Sequence, residues 1–103
     1  STAKKVSEAE RLLASGKFPE AKRAFACEGN SGMAQICSEL IKSTRTITLY
    51  QSGLESARRS TNITTAATAI RELSSILKIY KTHNIDSATL EGLINNYKSI
   101  KQF

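Results

Sequence analysis

Aspartate occurs once in this sequence, at Asp86, and histidine once, at His83. So little of either leaves scant material for a carboxylate-held metal or a phosphoryl-transfer site. The two cysteines, Cys27 and Cys37, lack a Cys-x-x-Cys spacing, and with His83 they make three ligands where structural zinc takes four. No metal and no cofactor is expected. There is also no nucleophile elbow, phosphate-binding loop, dinucleotide fingerprint or paired-acid motif, which argues against an enzyme. No apolar run approaches the roughly 18 residues of a membrane span. A single proline and five glycines interrupt 103 residues, and the abundance of Ala, Leu, Ile, Glu and Lys favours helix. This length suits one domain that buries its core without disulfide staples. The chain starts at Ser1 rather than methionine and reads as a trimmed chain or a segment of a longer one.

The net charge of +6 raises a nucleic-acid reading, which depends on where the charge sits. Residues 1 to 30 carry six basic and four acidic groups, 31 to 60 carry four and two, and 61 to 103 carry five and three. Each third is therefore +2, the distribution of a solvated surface rather than a phosphate track. A basic nucleic-acid-binding domain is the alternative, resting on the doublets Lys22-Arg23 and Arg58-Arg59.

The organising stretch runs from Ala9 to Phe25. Ala9, Leu12 and Leu13 end the apolar stripe of a helix over about Thr2 to Ala14, and Gly16 follows its last turn, where a positive φ costs glycine nothing. Pro19 and Glu20 then open a second helix, about Phe18 to Cys27, and Phe18, Ala21 and Phe25 fall on one face. The cluster Glu28-Gly29-Asn30-Ser31-Gly32 stops it. A third helix from Ser31 or Gly32 to Arg59 carries Met33, Ile36, Leu40, Thr44, Ile47, Leu54 and Ala57 on its stripe. Within it, Thr44 to Tyr50 alternates β-branched residues as a strand does, but no second strand is available to pair with, so helix is retained, with a bend near Gly53. Asn62 caps a fourth helix, about Ile63 to Thr82, and Asp86 or Ser87 a fifth, with Leu90, Leu93, Ile94, Tyr97 and Ile100 buried. Asn62-Ile63-Thr64 is also a glycosylation sequon.

The pattern from Ala9 to Phe25, with Gly16, Phe18, Ala21 and Phe25 at its centre, resembles the core of a tetratricopeptide (TPR) helical hairpin. A shift of 45 residues lays Phe18, Ala21, Ala24 and Phe25 over Ile63, Ala66, Ala69 and Ile70, with Thr61 in place of Gly16. The TPR period is about 34, so the array is a degenerate one. The resemblance implies an all-α fold of about five helices: a hairpin over about 2–28, a second over about 32–82 and a capping helix over about 86–101, packed as a short stack or a five-helix bundle. It also implies a non-catalytic module that binds a peptide or partner helix in a groove formed by the first helices of the hairpins. In this sequence that groove comprises Lys4, Lys5, Glu8 and Arg11, then Arg45, Tyr50, Glu55 and Arg58, with the two lysines suiting an acidic peptide. A structural segment of a larger repeat assembly is the further alternative. Cys27 and Cys37 flank the loop between the second and third helices within disulfide reach, whereas in a reducing cytosol they are two small hydrophobes. A cytoplasmic location is the expectation, and a secreted or periplasmic one would go with their oxidation. His83 is expected on a solvated turn.

Overall fold

The computed structural model describes residues 6–100. Five helices follow in order: α1 (Glu8–Ala14), α2 (Phe18–Cys27), α3 (Ser31–Ser60), α4 (Ile63–Thr82) and α5 (Ala88–Lys98). They take up 82% of the described residues and leave no strand among them, so the fold is all-α. The first helix begins at Glu8 rather than Thr2, because Ser7 accepts from the Glu10 N–H at 3.1 Å and caps it; Val6 precedes the helix and is exposed. Asn30 and Asn62 cap α3 and α4 by accepting from Met33 N–H and Thr65 N–H, each at 3.0 Å.

The four turns share one geometry. Each passes through a single left-handed residue: Gly16 at φ 81°, Gly29 at 76°, Thr61 at 47° and Asn84 at 56°. The N–H that follows each of them reaches five residues back, from Lys17 to Leu12, Asn30 to Phe25, Asn62 to Ala57 and Ile85 to Tyr80. This Schellman closure satisfies carbonyls that a helix end otherwise leaves unpaired. Thr61 thus adopts the conformation of Gly16, against the roughly 1–2 kcal/mol that a side chain costs there.

Packing divides between the two ends of α3. Its first part buries Cys37 and Leu40 and its last part Ala57, and all three belong to one core cluster with the buried residues of the other helices. α2 lies along α1 and α3, while α5 lies along α4 and also touches α3, making α5 a partner of α4 as well as an end piece. The result is a slab of 58 × 28 × 16 Å. Its radius of gyration of 16.3 Å exceeds the roughly 13 Å of a compact chain this long, so the molecule is elongated.

No residue from 41 to 56 is fully buried, yet α3 continues through them and through Gly53 without interruption. The hydroxyls of its strand-like stretch bond inside the helix: Thr44 donates to the Leu40 carbonyl at 3.0 Å and Thr48 to the Thr44 carbonyl at 2.9 Å. At Gly53 an added Cβ would meet the Tyr97 hydroxyl at 3.8 Å, an ordinary contact. Gly53→Ala should therefore stabilise the fold by about 0.5–1 kcal/mol in urea or thermal unfolding. Thr61→Gly should also stabilise, by about 1 kcal/mol, because it relieves the left-handed strain. A loss of stability in either variant would contradict these backbone assignments.

Candidate functional site

Three segments converge at the middle of the slab on a cleft of about 350 Å³. Its floor is one stripe of α3, Thr44, Ile47, Thr48 and Gln51, at spacings of three and four. One wall is the α1–α2 turn, Ser15, Gly16 and Phe18, and the other is the α4–α5 turn and first turn of α5, Ile85, Asp86, Thr89 and Leu90. The ring of Phe18 meets Tyr80 edge to face, with centroids 6.0 Å apart at 81°. That contact holds the first turn of α2 against the last of α4, with about 0.5–1.5 kcal/mol beyond the area it buries.

Asp86 is the one formally charged side chain in this lining. Its Oδ1 accepts from Ala88 N–H at 3.1 Å and so caps α5, whereas Ser87 donates to Glu91 at 3.2 Å and makes no cap bond. Helices α1 and α4 end at the cleft while α2 and α5 begin there, and their opposed backbone dipoles offset one another. The Asp86 carboxylate consequently sets the local sign. In the neighbouring hollow Glu91 pairs with Lys81 at 2.9 Å. Lys81, with help from Ser87, holds the Glu91 carboxyl below its ordinary range against partial desolvation and, more weakly, the charge of Asp86.

A second hollow of about 480 Å³ has Val6, Leu13, Phe25 and Met33 as its apolar side and His83 at its rim. His83 ends α4 and is half-buried rather than solvated as expected.

The groove residues expected from the sequence are dispersed. Lys4 and Lys5 lie outside the described residues, and Glu8, Arg11 and Arg45 are exposed on α1 and α3. Glu55 and Arg58 pair with each other at 2.5 Å. Tyr50 is half-buried, with its ring 5.7 Å from that of Tyr97 and its hydroxyl donating to Glu72. Among the described residues, none of these lines the central cleft. The basic doublets also stay apart: the Lys22 cation acts on Cys37, and Arg58 lies 21 residues further along α3, about 30 Å at 1.5 Å per residue. That spacing is about four Debye lengths at physiological salt.

Both thiols are free in this structure, Cys27 exposed at the end of α2 and Cys37 fully buried in the core. Burial raises the Cys37 thiol's pKa, and the Lys22 charge opposes this more weakly. Among the described residues no three His, Cys, Asp or Glu side chains are grouped to hold a metal, and no helix is long and apolar enough to cross a membrane.

Sequence reasoning missed most of the cleft. It used Asp86 as a cap and overlooked that the only aspartate stands where two turns meet. The stripe Thr44, Ile47, Thr48, Gln51 was visible as a helical period, but its mixed polarity resembles any solvated face.

Comparison with protein-family models, with curated proteins and with solved structures finds no match to this chain.

The Tyr50 hydroxyl is pushed up to about 12, first by its hydrogen bond to the Glu72 carboxylate and then by burial. An unfolded tyrosine ionises near 10, so between about pH 10 and 12 the folded chain holds a proton that the unfolded chain has lost. This stabilisation is complete below pH 10 and disappears as pH rises through 12. Urea unfolding of the parent and Tyr50→Phe should show the parent's advantage shrinking over that window; a constant difference would contradict the hydrogen bond.

Proposed function

We propose that this chain is a non-catalytic protein–protein interaction module, a TPR-like pair of helical layers that takes a segment of a partner protein in its central cleft. The observation that carries the reading is the cleft itself, an open depression with Ile47, Ile85 and Leu90 in its lining, bounded by two turns and floored by an unbroken helix. Pockets of this kind, mainly apolar with a few placed polar groups, are ordinary binding sites. The lining supports binding over chemistry. It includes no His, Cys, Lys or Arg, so the threonine hydroxyls at its floor have no basic side chain there beyond a carboxylate already engaged as a cap.

Its size narrows what enters. An α-helix with its side chains is about 10–12 Å across, too wide for 350 Å³ to contain, so a partner helix or strand would rest across the opening and insert one or two side chains. An acidic segment would have to find its counter-charges outside, since no cation lines the cleft.

A photoreactive amino acid at Gln51 tests the proposal in lysate of the source cells. Discrete protein crosslinks that survive nuclease, persist in Arg58→Glu/Arg59→Glu and disappear in Thr48→Trp, which fills the cleft, are expected. Circular dichroism should show unchanged helix in all three variants. Crosslinks lost on nuclease treatment, or unaffected by Thr48→Trp, would overturn the proposal.

A further inference from the structure

Deepening the partner reading on which it rests, we infer that the central cleft selects a segment carrying a lysine or arginine directly beside a large apolar residue. The cleft lies in a chain of net charge +6, yet its only formally charged lining residue is negative. A free surface charge would mean little. Asp86 is itself exposed, but Phe18, Ile47, Ile85 and Leu90 line the same cleft, so an incoming side chain that covers the carboxylate displaces water and a charge-assisted hydrogen bond gains strength.

The carboxylate is already partly committed, and how it is committed matters. Oδ1 caps α5 through Ala88 N–H, which fixes the group's position, while no side-chain cation forms a salt bridge with it among the described residues. Lys81, the cation of the adjoining hollow, is taken by Glu91 at 2.9 Å. Lys17 stands between Gly16 and Phe18 in the chain but is exposed and outside the lining. A positioned, exposed carboxylate without a salt-bridge partner among the described residues, beside the apolar Ile85 and Leu90, is complementary to an ammonium or guanidinium whose neighbour is apolar. The apolar neighbour would sit against Ile47 and Leu90.

The net positive charge acts against such a partner only at long range. At physiological salt, charges more than about 8–10 Å apart are largely screened. The overall charge therefore slows encounter, while Asp86 governs the bound state.

The probe is a displayed library of random short peptides, selected in parallel on the parent protein and on Thr48→Trp. The selected peptides are then synthesised and measured by titration calorimetry against the parent and Asp86→Asn. Asparagine keeps the oxygen that caps α5, so the variant removes charge and spares the helix start. Enrichment of Lys or Arg beside Leu, Ile, Phe or Met, absent from the Thr48→Trp selection and about ten-fold weaker on Asp86→Asn, is expected. Acidic or purely apolar peptides that are lost on Thr48→Trp would overturn this inference and leave the cleft as a binding site. Basic–apolar peptides indifferent to Asp86→Asn would overturn it too. The absence of any peptide specific to the open cleft would overturn both this inference and the function proposed above.

Discussion

Helix α3 has to remain helical across sixteen residues that bury no side chain completely, and the rest of the molecule depends on its doing so. Thr44, Thr46, Ile47 and Thr48 together cost about 2–3 kcal/mol of helix propensity relative to alanine. Packing at the two ends of α3 outweighs this. Cys37 and Leu40 at one end and Ala57 at the other belong to one core cluster with the buried residues of the other helices. In between, the fully buried Tyr97 donates to the Tyr50 carbonyl at 2.5 Å, and Tyr50 in turn donates to Glu72, tying α5, α3 and α4 together at one level. A helix of 30 residues anchored at its ends keeps the α1–α2 hairpin and α5 apart, and the cleft is the interval between them.

The shape of that interval comes from the turns. Left-handed Gly16 and Asn84 reverse the chain at opposite walls, and the Phe18–Tyr80 contact holds the two reversals in register. Asp86 then serves two purposes with one carboxylate, starting α5 and giving the cleft its sign. Because each wall pairs a helix end with a helix start, backbone dipoles contribute little net field, and a single side chain decides the electrostatics.

Much of the fold was legible because its signals are local. The cluster Glu28 to Gly32 and Asn62 mark the starts of α3 and α4, Gly16 and Gly29 mark turns, and Leu90, Leu93, Ile94 and Tyr97 recur at helical spacing on the buried face of α5. The strand-like run at Thr44 to Tyr50 resolved as helix for lack of a pairing partner, and its hydroxyls satisfy themselves on carbonyls one turn back. Errors arose where the outcome depended on distant residues. Val6 extends an apolar stripe in the sequence, but Ser7 caps the helix after it. Of the two cysteines, read as small hydrophobes in a reducing compartment, Cys37 is fully buried but Cys27 is exposed. The cleft was the least legible part, since its three segments are more than 25 residues apart in sequence and only the packing of α2 and α5 on a common helix brings them together.

The account depends most directly on α3 being one unbroken helix beneath the cleft. Amide hydrogen exchange followed by NMR at Thr44 through Gln51 tests this without substitution or ligand. Protection comparable to that of Cys37 to Ile41 is the predicted result, because the same intrahelical bonds and the same anchored ends slow opening along the whole helix. Exchange at the rate of an unstructured chain across Thr44 to Gln51 would contradict the account, since the cleft would then have no fixed floor.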